Sequence, residues 1–165
     1  MSPQVITDAH EAALALRGEI AAAHHAVVLT GAGVSTDSGI PDFRSPGGIW
    51  SRMAPIEYDA FCTSEDARLE DWRRRFEMAA LFAAAEPNAA HRAIARLAAD
   101  GPVSTVITQN IDGLHTRAGT PDDALIEIHG TAAHAHCLDC RQRVEIAEAR
   151  ALLERTGAAP RCPAC

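Results

Sequence analysis

The stretch that decides the fold runs from residue 26 to residue 33: Ala26-Val27-Val28-Leu29-Thr30-Gly31-Ala32-Gly33. Its apolar part is too brief for a helix and ends in a glycine turn, which predicts a buried strand of the parallel-sheet type. Two later segments repeat the design. Val103 to Thr108 runs into Gln109-Asn110-Ile111-Asp112-Gly113, and Leu125 to Ile128 runs into His129-Gly130. Helical spacing fills the intervals. Ala12, Leu16, Ile20 and Ala23 recur on one face before the first strand, with Asp8 and Glu11 placed as a capping box. Leu69 to Ala85 predicts a helix with Trp72, Phe76, Ala80 and Ala83 or Ala84 on one side, closed by Pro87. Asn88 caps the next helix, which carries Ile94 and Leu97 and stops at Gly101.

This alternation of strand and helix is the pattern of an α/β fold with a parallel sheet. In such sheets ligands sit beyond the carboxyl ends of the strands. Gly31-Ala32-Gly33, Gln109-Asn110-Ile111-Asp112 and His129 are therefore expected to meet in one crevice. The Gly-, Pro-, Ser- and Asp-rich stretch from Ser35 to Pro55 reads as a long functional loop beside it.

The 165 residues correspond to about one domain. A hydrophobic content of 47% and a charged content of 22% exclude a disordered or low-complexity chain. All 15 basic residues are arginine, and the net charge of −7 argues against a nucleic-acid partner. No apolar run reaches the roughly 18 residues of a membrane span, and Met-Ser-Pro-Gln does not open a secretory signal. A cytoplasmic protein without a membrane partner is expected. Four of the five cysteines form two Cys-x-x-Cys pairs, Cys137 with Cys140 and Cys162 with Cys165, separated by 21 residues. In a chain without a secretion signal this spacing predicts a four-thiolate zinc site rather than disulfides. Cys62 stands alone and reads as a small hydrophobe.

Singly, the crevice residues are ambiguous. A glycine turn lets backbone amides approach a pyrophosphate, yet many such turns are only turns. Asn110 and Asp112 suit an amide and a hydroxyl, or merely cap the next helix. His129 is a general-base candidate or a structural histidine.

In combination they are specific. Gly31-Ala-Gly-Val-Ser-Thr-Asp-Ser-Gly-Ile-Pro-Asp-Phe-Arg44, Thr108-Gln-Asn-Ile-Asp-Gly-Leu-His115, Ile128-His129-Gly130 and the two cysteine pairs occur in that order. The chain resembles the sirtuins, the NAD-dependent protein deacylases, from about Val27 to Cys165; Gly48-Ile49-Trp50 and Pro87-Asn-Ala-Ala-His91 match as well. The resemblance implies a Rossmann-like domain over 1–133 and a small zinc-ribbon module over 134–165. It implies NAD bound near Gly31, Ala32, Gly33 and Ser35. Ile40, Pro41 and Asp42 would face the nicotinamide together with Asn110, Ile111 and Asp112. Phe43 would shield the cationic intermediate, Arg44 and Gln109 would contact phosphate and ribose, and His129 would be the general base. An acyl-lysine protein or peptide would be the substrate, its acyl group passing to ADP-ribose as nicotinamide leaves. Zinc on Cys137, Cys140, Cys162 and Cys165 would be structural. Sirtuins continue beyond the last zinc cysteine, so the resemblance also implies that only part of the sheet is present and that the 165 residues alone turn over slowly or not at all. The alternative expectation is an inactive NAD- or partner-binding fragment.

Overall fold

The computed structural model describes residues 5–165. Helix α1 (Ala9–Ala22) opens on Asp8, whose carboxylate accepts the His10 and Glu11 amides at 3.0 and 2.9 Å. Strands β1 (Ala26–Thr30), β2 (Val103–Thr108) and β3 (Leu125–Glu127) form a parallel sheet in that order. Thr30 pairs with Thr108, and Thr108 with Glu127, so all three strands end at one level. The Gln109 amide donates to the Thr30 carbonyl at 3.0 Å, and the Ile128 amide to the Thr108 carbonyl at 3.0 Å. The chain therefore leaves the sheet three times at the same edge.

Helix α2 (Tyr58–Thr63) leads into α3 (Glu65–Ala84), and α4 (Ala89–Asp100) follows and packs on β2. A short α5 (Leu114–Arg117) connects β2 to β3. Beyond them lie an antiparallel pair, β4 (His134–His136) with β5 (Arg143–Glu145), and helix α6 (Ile146–Thr156). Asn88 caps α4 by accepting the Ala90 and His91 amides, while His91 Nδ1 accepts the Asn88 amide at 3.4 Å.

Two features differ from the sequence pattern. The first strand was expected to be buried on both faces, yet Val27 and Leu29 are 62% and 65% exposed. They share a face with Ile126 of β3, and nothing among the described residues covers it. The opposite face, with Val106, Thr30 and Thr108, is closed. Second, Ala80, Ala83 and Ala84 of α3 are exposed, and Phe82 is buried in their place. The reason is that α3 serves two cores on different sides of its axis. Trp72 and Phe76 pack with Ile146, Ala149 and Ala159, whereas Phe82 packs with Ile40, Ala85 and Leu114. Leu114 is fully buried, so its truncation to alanine should cost about 2–5 kcal/mol.

Between α4, α5 and the sheet lie His91 and His115, both fully or almost fully buried, with ring centroids 4.9 Å apart. Burial holds both below the ordinary histidine range; Asp112 opposes this at each ring, while Arg92 beside His91 and His91 beside His115 add to it. His134 is lowered by burial in the same sense. The unfolded chain therefore binds more protons than the folded one as pH falls below about 6.5, and stability contributed by neutral histidines is lost in that direction. Glu127, raised by burial and by Asp112, acts the other way. Three histidines against one carboxyl predict a lower urea midpoint at pH 5.5 than at pH 7.5. An equal or higher midpoint at pH 5.5 would contradict this account.

Candidate functional site

At the carboxyl edge of the sheet the structure forms a cavity of about 490 Å³. Ala32 reaches it from the turn after β1, and Gln109, Asn110 and Ile111 from the exit of β2. His129 closes the β3 side; Asp42, Phe43, Arg44 and Trp50 come from the long loop. The crevice expected from the strand order is thus a real concavity.

Behind its wall runs a network of short polar contacts. The Asn110 side-chain amide donates to the Gly31 carbonyl and to Ser35 Oγ, both at 3.1 Å. Ser35 Oγ donates to Asp112 Oδ2 at 2.7 Å, and Asp112 Oδ1 accepts the Leu114 amide at 2.9 Å. Asn110 and Asp112 therefore spend part of their bonding on tying the exit of β2 to the turn after β1. Gly31 faces Gln109 closely, since a Cβ there would lie 3.4 Å from Gln109 Oε1, whereas Gly33 borders open space.

His129 is exposed at the rim, with Nδ1 3.0 Å from the Gln109 carbonyl. A carbonyl only accepts, so Nδ1 carries a proton, and in the neutral ring the lone pair is on Nε2. That tautomer is the one a general base needs.

The long loop is not irregular throughout. Residues 32–38 wind into a 3-10 turn and 49–51 into another. Asp42 organises the stretch between by accepting the Arg44 and Ser45 amides at 3.1 and 2.8 Å and the Ser45 hydroxyl. Those bonds, the Ser45 hydroxyl foremost, hold its carboxyl below the usual range. Phe43 lies 5.7 Å from Trp50, and the Arg44 guanidinium sits 5.0 Å over the Trp50 ring.

The other sequence-derived residues lie around the cavity rather than on it. Ser35 is buried in the polar network, and Ile40 is buried against Phe82 and Leu114. Pro41 borders a separate hollow of about 170 Å³ with Ile49, Met53 and Met78. Asp112 lines a larger groove of about 790 Å³ between α3, α5 and α6. Trp50 was absent from the sequence-derived site; an aromatic directly after Gly47-Gly48-Ile49 in a polar loop was the available signal.

Outside this cavity, the sulfurs of Cys137, Cys140, Cys162 and Cys165 all lie within 4.8 Å of one another. Cys137 and Cys165 stand 3.7 Å apart, and Cys140 and Cys162 3.5 Å. Those are the edges of a tetrahedron with a metal–sulfur bond of about 2.3 Å, which measures about 3.8 Å, and not disulfide lengths of about 2.05 Å. The Cys140 and Asp139 amides lower the Cys137 thiol to about 7, while the neighbouring thiols push Cys165 up. Four crowded thiols of this kind fit a divalent cation that all four bind as thiolates.

Residues 31–165 match the Sir2 family. The chain belongs to that family. It is 51% identical to an NAD-dependent protein deacetylase of Rhodopseudomonas palustris over 146 residues, covering 88% of this chain and 58% of that protein. It is 49% identical to NAD-dependent protein deacetylase 1 of Bradyrhizobium diazoefficiens, again over 88% of this chain and 57% of the relative. Among solved structures, a Sir2 complex with deacetylated p53 peptide and 3'-O-acetyl ADP-ribose superposes with a TM-score of 0.81 at 34% identity, over 92% of this chain and 60% of that one. A Sir2 complex with p53 peptide and NAD+ superposes at 0.76 and 35% identity, over 92% and 59%. This Sir2 chain thus spans a little under three-fifths of the curated relatives it matches.

Loop order in this Sir2 chain depends on Gly48. A Cβ there would stand 2.7 Å from the Asp42 carbonyl, 2.9 Å from Asp42 Oδ1 and 2.9 Å from the Ser45 carbonyl. All three contacts are too short to survive, and two are to backbone. Gly48→Ala should loosen residues 42–52, and trypsin should cut at Arg44 or Arg52 about tenfold faster, because cleavage follows the population of the opened loop. Cleavage at the wild-type rate would show that the Asp42 turn does not hold the loop.

Proposed function

We propose that this chain carries the NAD- and acyl-lysine-binding part of a protein-lysine deacylase that transfers the acyl group to ADP-ribose and releases nicotinamide. One observation supports it above the others: His129 presents a bare Nε2 at the rim of a cavity walled by Ala32, Phe43, Arg44 and Asn110. NAD, when bound, supplies an electrophilic anomeric carbon and a leaving nicotinamide. The chain's own contribution is positional and electrostatic. Amides of the turn at 31–33 would hold the pyrophosphate, and Arg44, kept over Trp50, would supply positive charge to it. Asn110 keeps Oδ1 as an acceptor once its NH₂ is spent on Gly31 and Ser35, which suits a carboxamide N–H or a hydroxyl. Ile111 and Phe43 exclude water from the reacting centre. His129 Nε2 takes the proton of a ribose hydroxyl, and the Gln109 carbonyl steadies the resulting imidazolium through Nδ1–H.

Zinc completes this reading. It would sit on Cys137, Cys140, Cys162 and Cys165, where four thiolates leave no open position for catalysis. Thiols kept reduced for a metal suit the cytoplasm. The division into an NAD-binding part over 1–133 and a zinc module over 134–165 belongs to the same proposal, with α3 packing on both.

Two outcomes are expected. The purified chain should contain one equivalent of zinc, and a chelator should melt residues 134–165 first, since such sites contribute on the order of 10–16 kcal/mol of apparent binding energy; less than half an equivalent without chelator exposure would remove the metal from the account. In a chimera completed to full length with the Rhodopseudomonas relative, His129→Ala should lower NAD-dependent deacetylation of an acetyl-lysine peptide by about 10²–10⁴. NAD binding should be retained. Near-normal turnover of that variant would refute the assignment of the base.

A further inference from the structure

The turn after β1 brings Ala32 to the cavity, and by its own hydrogen bonds it is weak. Residues 32–38 wind as a 3-10 helix of seven residues. Runs beyond three or four residues are uncommon in that form, because its hydrogen-bond geometry is poorer than that of an α-helix. The Val34 amide donates to the Gly31 carbonyl at its start, and the Gly39 amide closes it on the Thr36 carbonyl, both at 3.0 Å. Such a turn keeps its place only if it is held from outside. The exit of β2 holds it at Ser35, through Asn110 and Asp112. A second hold comes from Asn88 at the start of α4, whose side-chain NH₂ donates to the Val34 carbonyl at 2.7 Å and to Ser38 Oγ at 3.0 Å.

The orientation of the Asn88 carboxamide is fixed by backbone partners that can act in one way only. Its Oδ1 accepts the Ala90 and His91 amides at 2.9 and 3.3 Å, and an amide N–H only donates. Its Nδ2 faces the Val34 carbonyl, which only accepts. One planar group therefore caps α4 with its oxygen and holds the turn with its nitrogen, across 54 residues of sequence. Capping alone does not call for asparagine, because aspartate and serine cap a helix about as well. Neither of them carries an NH₂. The nitrogen half of the side chain is what capping leaves unexplained.

We propose that Asn88 is a positioning residue for the cofactor turn: its NH₂ clamps residues 34 and 38 from the side opposite to the Asn110 and Asp112 contacts, and so fixes the amides of 31–33 and Ala32 at the cavity. Helix α4 packs on β2, whose exit supplies the other clamp, so both holds are referred to the same strand. The turn is then placed by two side chains from distant parts of the chain, and its weak internal bonding is sufficient. The bearing of the clamp on NAD rests on the reading of the cavity given above; the clamp itself does not.

The test is Asn88→Asp, which keeps the shape and the capping oxygen and turns the donor facing the Val34 carbonyl into an acceptor. Hydrogen exchange is followed by NMR in the 165-residue chain at pH 7.5, at the Gly39 and Ile40 amides that bond to the Thr36 and Ser35 carbonyls. Both should exchange about tenfold faster or more in Asn88→Asp, while the amides of α4 stay within about threefold of wild type, as loss of one buried hydrogen bond with the cap retained requires. Asn88→Ala, which loses cap and clamp, should loosen both. Unchanged exchange at Gly39 and Ile40 in Asn88→Asp, or equal loosening of α4, would overturn the proposal. If Asn88→Asp fails to fold, the wild type decides: the Asn88 NH₂ protons should exchange at least about tenfold more slowly than those of a free carboxamide, and exchange at the free rate would overturn it. The functional arm uses the full-length chimera. There Asn88→Asp should raise KM for NAD about tenfold and leave kcat and KM for the acetyl-lysine peptide within about threefold, because a displaced turn loses ground-state and transition-state binding alike. A lowered kcat with KM for NAD unchanged would refute the positioning role. Failure of the wild-type chimera to use NAD would strike the cavity reading and leave the exchange results to judge the clamp.

Discussion

The level register of the three parallel strands is the constraint on which the site depends. Thr30, Thr108 and Glu127 lie side by side, so the glycine turn, the Gln109–Asp112 segment and His129 leave the sheet together. A slip of one residue would turn every side chain of a strand to the other face. Thr30 and Thr108 would then no longer share their hydroxyls on the closed side, and Asn110 would lose the contact that places its amide. Threonine at both strand ends is therefore a matter of hydrogen bonding: valine would fill the same space and leave a buried ring nitrogen and an amide without partners.

Helix α3 carries the second constraint. Its first half builds the core beneath the cysteine cluster through Trp72 and Phe76, and Arg150 closes that core by donating to the Phe76 carbonyl at 2.7 Å. Glu65 at its start accepts the Ala159 amide at 3.0 Å, three residues before Cys162. Its second half holds Ile40 and Leu114 against Phe82, which seats the beginning of the long loop. The thiol cluster and the cavity are thus supported by one rigid element. The boundary drawn at residue 133 from the sequence runs through a shared hydrophobic core, which periodicity alone does not reveal.

The strands were legible because glycine or a polar segment follows each apolar run, and α4 was legible because Asn88 and Gly101 mark its ends. The cysteine cluster was legible because thiol spacing is short-range and chemically narrow. What stayed hidden depends on long-range contact. Strands β4 and β5 have three residues each, too few for a period to register. Periodicity does not give the buried face of α3, because this one helix serves two cores. Exposure of Val27 and Leu29 was not visible either, since an apolar strand does not say which layers cover it. Asp42 was read toward the nicotinamide; the structure shows its carboxylate bonded to its own loop while still bordering the cavity.

That last difference shapes what chemistry the cavity supports. Asp42 is occupied by Arg44 and Ser45, and Asp112 by Ser35 and Leu114, so both carboxylates spend their strongest contacts within the chain. The side-chain acceptors left for a ligand include Gln109 Oε1 and Asn110 Oδ1, both neutral amide oxygens. A neutral acceptor is matched to an amide or a hydroxyl and does not compete for a cation as a free carboxylate would. Asp42, held ionised by its hydrogen bonds, still contributes a negative field at a fixed position, which favours positive charge developing nearby without reorganisation at the moment of reaction. In the proposed reaction, proton transfer and charge stabilisation would fall to different groups. The loop that Asp42 folds is also the loop that delivers Phe43 and Arg44 to the cavity, so the charge and the walls around it are set by the same few hydrogen bonds.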